Sequence, residues 1–291
     1  MFRNIIRISH PLNLLLAALT YMLGMSIPAY LGKPFLFLPF WLGLIYILLA
    51  QWSMSLFAEV FRPINEPIIE NETLKSRESI RNNALYLSVG ALTVNVVIAY
   101  ILYVDNTLAF PSFLFLALTL VLVVVYAIPP FRFLNRGFGE LTLALQLAYV
   151  IPSIGFLLRM PENHPLLILI VIPLTILALA YFLVLNFPSF ASDQKYQRGT
   201  LLRSLTWQRA VPLHHGLIIL AYLCFAAAPL FGFSFNLVWP AFLTLPFAIF
   251  QIAQLRGIAN GNPPNWTLLI STALSVFGLT TYFLTLTFWL R

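Results

Sequence analysis

The chain has 291 residues, of which 60% are hydrophobic and only 9% charged. A soluble globular domain carries about a quarter charged residues, so that class is excluded, and apolar runs of about 20 residues read as membrane spans. The formal charge of +7 does not mark a nucleic-acid binder, because the basic residues sit between apolar runs and form no continuous patch.

Residues Met1 to His10 form a short amphipathic lead with Arg3 and Arg7. The run Pro11–Leu31 imitates a secretory signal, but its length and the eight spans after it predict an uncleaved first helix. A second span is expected over Pro34–Ala58, ending in the polar stretch Glu59 to Arg81. Spans three and four are expected over Asn82–Val104 and Leu108–Ala127, hinged at Asp105-Asn106. The segment Tyr126 to Arg132 then stops the helix, since proline has no amide proton and clashes with the preceding turn. Spans five to nine follow at Phe138–Leu158, Leu166–Leu185, Ala210–Leu230, Asn236–Gln254 and Trp266–Leu290. The lone cysteine, Cys224, lies inside an apolar run, which leaves no disulfide framework and no thiol metal site.

Basic residues set the expected orientation. Thirteen of them fall at the ends that share a face with the N-terminus, against only Lys33, Arg159 and Arg291 on the other. Positive charge stays cytoplasmic, so the N-terminus is expected inside and, after nine crossings, the C-terminus outside. The long polar loops follow spans two and six on that same cytoplasmic side.

Those two loops carry the candidate chemistry. In the second, Asn186 to Leu205, Asp193 is the only acid, and Lys195, Arg198, Arg203 and the following Arg209 surround it with positive charge. That pattern fits a polyanion held partly through a metal; it also fits a loop that is basic because topology demands it. The first loop carries five glutamates, Glu59, Glu66, Glu70, Glu72 and Glu78. Carboxylate oxygens suit a hard cation such as Mg²⁺, which commonly bridges carboxylates to substrate phosphates. Glu66 and Glu70 would share a helix face if Pro67 opened a helical turn, and Glu72 and Glu78 read as solvated.

Taken with their placement, these segments resemble the UbiA superfamily of intramembrane prenyltransferases. Ile64-Asn65-Glu66-Pro67 is similar to the segment after that family's first Asp-rich motif, closest to the chlorophyll-synthase-like branch. Tyr126 to Arg132 followed by Arg136-Gly-Phe-Gly-Glu140 resembles its Tyr-x-x-Pro-Pro and Arg-Gly-x-Gly-Glu segment. Asn186 to Leu201 resembles its second motif. The resemblance covers nearly the whole chain and implies a single all-helical domain over residues 1–291, nine transmembrane helices in a UbiA-type bundle around a cytoplasm-facing cavity.

The reaction it implies is Mg²⁺-assisted loss of diphosphate from an allylic prenyl chain, with capture by a hydrophobic acceptor in the bilayer. The departures from the pattern fall on the ligands. The family's Asn-Asp-x-x-Asp-x-x-x-Asp falls here on Met54, Ser55, Ala58 and Arg62. Ser189 stands at the first acid of the second motif and Gln197 at its glycine. Catalytic and metal-ligating roles are therefore expected of Asp193, Asn186, Glu59 and Glu66, and diphosphate binding of Arg62, Lys195, Arg198, Arg132 and Arg136. Arg62 would replace metal charge directly, since guanidinium binds phosphate oxygens bidentately.

The remaining polar residues read as structural. Glu140 is expected to cap span five near the positive helix end, and His214-His215 to mark the start of span seven. Gln146, Asn95 and Gln251 lie within spans, where they either line a cavity or bond between helices. His10 stands where the family often has an arginine before proline. Besides prenyl transfer, the pattern leaves open a non-catalytic relative that binds an isoprenoid lipid; a transporter fits less well, because charges are rare inside the spans.

Overall fold

The computed structural model describes residues 8–63, 66–67, 74–105, 107–162 and 164–291. Among them there is no strand, and nine helices are long and apolar enough to cross a membrane. They are α1 (Pro11–Tyr30), α2 (Phe37–Val60), α3 (Leu74–Val104), α4 (Phe110–Ala127), α5 (Gly139–Leu157) and α6 (Pro165–Leu185). After the short α7 (Phe190–Lys195) come α8 (Leu201–Ala226), α9 (Trp239–Ala259, its first turns 3₁₀) and α10 (Trp266–Leu290). Both α5 and α10 carry one π-helical turn, at Gln146–Val150 and Ser275–Leu279.

Burial sorts the helices into centre and rim. Of its most apolar 18 residues α5 buries 78% and α6 buries 72%, whereas α3 and α9 each bury 28% and so present their apolar side chains to lipid. Close packing at the centre depends on small residues, as it does wherever lipid removes the hydrophobic drive between helices. A Cβ on Gly24 of α1 would lie 2.0 Å from the Pro152 carbonyl of α5, and one on Gly155 would lie 2.7 Å from the Tyr21 carbonyl. Tyr21 itself donates across to the Phe40 carbonyl of α2 at 2.9 Å, and Tyr46 of α2 to the Leu116 carbonyl of α4 at 2.8 Å.

Two helices begin earlier than their apolar pattern indicates. The third starts at Leu74 rather than Asn82, so Lys75, Arg77, Glu78 and Arg81 ride on a helical extension; Glu78 is exposed, as its polarity implies. The helix α8 starts at Leu201 rather than Ala210, but Thr206 (φ 64, ψ 166) breaks it, and the continuous stretch begins after that break. His214 and His215 therefore lie inside α8, not at its start. His214 is buried and bonds Gln251 of α9 at 3.0 Å, which corrects the boundary reading of both histidines. Asn95 likewise bonds between helices, its amide placed against the Tyr46 carbonyl (3.1 Å) and the Ala50 amide (3.2 Å) of α2.

At the end of the bundle away from the two polar breaks, Arg159 is buried and ties three segments together. It donates to the carbonyls of Pro34 (2.8 Å), Met25 (3.0 Å) and Lys33, and lies 5.8 Å from the ring of Phe35 and 5.9 Å from that of Trp289. Burial among carbonyls and rings lowers its pKa from the usual arginine range.

Candidate active site

Glu59 belongs to the last turn of α2 rather than to a loop, because the Phe57 and Phe61 rings stack at 6.2 Å and carry the apolar helix through it. Arg62 follows directly. Its Nη2 lies 2.7 Å from Glu59 Oε1, and its Nη1 lies 3.1 Å from Glu66 Oε1 and donates to the Pro67 carbonyl at 3.0 Å. His10, at the N-cap of α1, brings Nε2 to 4.0 Å from the same Glu59 oxygen. Two further arginines hold the end of α2 by its carbonyls, the usual way a basic side chain satisfies a helix C-terminus. Arg81 of α3 donates to Arg62 O at 2.6 Å, and Arg132 donates to Phe61 O.

The second break is folded against the first. The helix α6 ends at Asn186, and α7 then places Asp193 in the interior with no exposed surface. Ser189 donates to Asp193 Oδ2 at 3.0 Å, and Arg198 Nη1 lies 3.3 Å from Oδ1. The other guanidinium nitrogen of Arg198 pairs with Glu66, so one arginine joins the two breaks. Gln197, standing where the pattern it resembles has glycine, takes the left-handed φ of 54. Thr200 then caps α8 by accepting from the Arg203 amide at 3.3 Å, while the Arg203 side chain donates to the Arg198 carbonyl at 3.0 Å.

Glu140 proves to be more than a helix cap. It is buried, and its Oε1 accepts from the side-chain amide of Asn186 and from the Leu201 amide at 2.9 Å, tying α5 to both ends of the second break. Gly199 completes the contact: a Cβ there would lie 1.9 Å from the Asn135 carbonyl, and Gly137 donates its amide to Gly199 O. The Arg-Gly-x-Gly-Glu segment and the second break are thus packed backbone to backbone.

The electrostatics follow from this closure. Glu59 (6%), Glu66 (2%) and Asp193 (0%) are shut off from solvent, whereas the side chains of Arg62 and Arg198 keep 20% and 28% of their surface, leaving the cations as the accessible face. Burial raises the Asp193 carboxyl above the ordinary carboxylate range, against the lowering effect of Ser189, Thr200, Arg203 and Arg62. Burial pushes Arg198 down to about 10, with the charge of Arg62 acting the same way. Arg132 is lowered by burial and by Arg81.

The expected site residues separate accordingly. Glu59, Arg62, Glu66, Asp193 and Arg198 form one chain of ion pairs, and Asn186 joins through Glu140. Arg132 and Arg136 spend themselves on backbone, at Phe61 O and at Pro130 O (2.7 Å). Lys195 is exposed, with Nζ 5.3 Å from the centre of its neighbour Tyr196, and does not reach the acids. Arg3, Arg7, Ile64, Asn65, Glu70 and Glu72 lie outside the described residues. Sequence reasoning missed the part played by Glu140; its signal was an acid at the start of an otherwise apolar span.

The acids that the resemblance assigns to a metal ion are engaged by arginine on one oxygen each, while Glu59 Oε2 and Glu66 Oε2 are buried without a hydrogen-bond partner among the described residues. Asn186 points its amide nitrogen at Glu140. Among the described residues no three of His, Cys, Asp and Glu are placed to share one ion.

No protein-family model and no curated protein matches the chain. Solved structures do. A UbiA homologue from Archaeoglobus fulgidus bound to GPP and Mg²⁺ aligns with a TM-score of 0.71 at 15% identity, covering 98% of this chain and 99% of that one. A UbiA homologue from Archaeoglobus fulgidus bound to Cd²⁺ aligns at 0.64 and 14% identity, with 98% and 99% coverage. The apo structure of a UbiA homologue from Aeropyrum pernix K1 aligns at 0.53 and 11% identity, covering 90% of this chain and 96% of that one. The chain is an integral membrane protein with the UbiA fold.

Proposed function

We propose that this chain is a UbiA-type prenyltransferase whose donor diphosphate is bound by arginine. The observation that carries the reading is the pair Arg62 and Arg198, held side by side on Glu66 at the meeting point of the two polar breaks. One of these arginines stands where the family pattern has an acid. In the transfer, the C–O bond of the prenyl diphosphate breaks and its electron pair leaves on the diphosphate. The acceptor supplies the pair for the new bond to the prenyl carbon and gives up a proton. The demand on the protein is to stabilise charge growing on the leaving group, which fixed guanidinium groups meet at the partly exposed face of this cluster. The orientation that goes with this reading puts the cluster in the cytoplasm, the N-terminus inside and the C-terminus outside.

Gln51 of α2 and Gln146 at the π-helical turn of α5 are fully buried, and neither side-chain amide has a partner among the described residues. An unpaired amide in a lipid-embedded core is costly, and an uncharged hydroxyl or carbonyl on a hydrophobic acceptor would satisfy it.

A second reading is a non-catalytic relative that carries an isoprenoid lipid, since the first Asp-rich pattern falls here on Met54, Ser55, Ala58 and Arg62. One experiment separates the two. Purified protein is incubated with GPP and a lipid extract, with Mg²⁺ or with chelator, and released diphosphate is measured. The transferase reading expects release coupled to a prenylated product, lost in Arg62→Ala. Absence of release in every condition, with isoprenoid lipid retained through purification, overturns it in favour of the carrier.

A further inference from the structure

Between α8 and α9, on the lipid-facing side of the bundle, two hollows lie in succession. The first, about 430 Å³, is at the end nearer the polar breaks and is lined by Trp207, Gln208 and His215 of α8 and by Arg256 and Asn260. The second, about 250 Å³, continues between the same helices and is apolar, with Ile218, Tyr222 and Ala226 facing Phe242, Ala248 and Ile252. The outer faces of both helices are apolar and exposed, including Ile219 (54%), Leu223 (60%) and Ile249 (64%), so the groove opens to the bilayer.

The head of this groove is cationic and uncompensated. The Arg256 side chain makes no hydrogen bond or ion pair with any described residue. No Asp or Glu follows Asp193 in the sequence, so none of the last three spans holds an acid to neutralise it. Trp207 packs edge-on against Phe187 (4.6 Å) and Phe190 (6.1 Å) at this end of the groove. From His215 to Ala226, at 1.5 Å per residue, the apolar part runs about 16 Å, close to half the ~30 Å hydrocarbon thickness. A charged head followed by one leaflet's length of apolar channel is the shape of a lipid.

We propose that this groove binds an anionic phospholipid of the leaflet on the Arg256 side, its phosphate on Arg256 and one acyl chain along the α8–α9 seam. The site shares no residue with the ion-pair cluster and does not depend on the transferase reading. Selectivity comes from charge and retention from the chain.

The test is native mass spectrometry of the full-length protein released from nanodiscs of mixed phosphatidylglycerol and phosphatidylcholine, with inorganic phosphate as a separate additive. Phosphatidylglycerol should be retained in preference, and Arg256→Gln should cut that preference about fivefold, the usual worth of one surface cation toward an anionic leaflet. Ala226→Trp, at an exposed position in the apolar hollow, should reduce retention while leaving the protein folded by thermal melt. Equal retention of the two lipids, or an unchanged preference in Arg256→Gln, overturns the proposal. So does stabilisation by inorganic phosphate that Ala226→Trp leaves intact, which would mark an anion site, or displacement of the lipid by GPP at equal concentration, which would mark a substrate site.

Discussion

Asn186 donates its side-chain amide to Glu140, 46 positions earlier, and through that bond the end of α6 is fastened to the start of α5. The same carboxylate oxygen accepts the Leu201 amide at 2.9 Å, so one buried acid anchors both ends of the second polar break. Removing it leaves two part-buried donors unpaired. Glu140→Ala should therefore cost about 2–6 kcal/mol, at the usual 1–3 for each of the two unsatisfied groups, read as a drop in melting temperature in detergent. Glu140→Gln keeps an acceptor and should cost less than half as much. Equal melting temperatures for the alanine variant and the parent would show the bond to be dispensable.

Gln197 occupies a left-handed position (φ 54) where the family has glycine. A side chain there strains the backbone, and glycine relieves that strain at the expense of a more flexible unfolded chain. Gln197→Gly should give a net gain of about 1 kcal/mol. Gly199→Ala runs the other way, since its Cβ would lie 1.9 Å from the Asn135 carbonyl. Overpacking of that kind costs about 1–3 kcal/mol, and GPP binding should weaken with it as Arg198 moves. If Gly199→Ala binds GPP as the parent does, the packing of the two breaks does not position the arginine.

Gln197 and Gly199 show what the sequence carried and what it did not. All nine spans were legible, because about 20 apolar residues in a row have no other physical reading. The ends were less so: Leu74 to Ile80 and Leu201 to Leu205 are helical but too polar to register as span, and Thr206 breaks α8 with no proline or glycine to announce it. Within the site, the residue types were legible and their partners were not. Glu59, Arg62, Glu66, Asp193 and Arg198 could each be named from their loops, but pairing across 132 positions, as between Glu66 and Arg198, is a property of the bundle. In the bundle the acids expected as metal ligands also stand as counter-ions of arginine.

The proposed orientation makes a labelling prediction. Ser76 on α3 and Ser204 on α8 are both exposed, at the face that carries thirteen of the sixteen basic residues. Single cysteines at these positions, in a Cys224→Ser background, should react with impermeant reagent only from the cytoplasmic side. Labelling of either from the outer face would reverse the orientation.

Arg198, with its pKa held down to about 10 by burial, gives the binding reaction a pH signature. A cation with a lowered pKa is fully charged well below that value and loses its charge as pH rises through it. GPP affinity should stay level from pH 7 to about 9 and fall on approach to about 10. Arg198→Ala should bind weakly and without that decline, whereas a decline of the same size in the variant would assign it to another group.

Arg62 decides whether arginine or metal carries the diphosphate. It stands at the position of a family acid, pairs with Glu59 at 2.7 Å and Glu66 at 3.1 Å, and still keeps a fifth of its side chain exposed. A charge-assisted hydrogen bond is worth about 1.5–3 kcal/mol, so Arg62→Ala should weaken GPP binding roughly 10- to 100-fold. The loss should be the same with Mg²⁺ saturating and with chelator present, because the guanidinium acts on the phosphate oxygens directly. Arg62→Lys keeps the charge but not the bidentate geometry and should fall between. Glu59→Gln and Glu66→Gln should each lower turnover roughly 10²- to 10³-fold, the size of a lost transition-state electrostatic contact, since they hold Arg62 and Arg198 in register. If GPP binds the parent only when Mg²⁺ is added, and Arg62→Ala leaves that affinity unchanged, the cation at this position has not taken over from the metal.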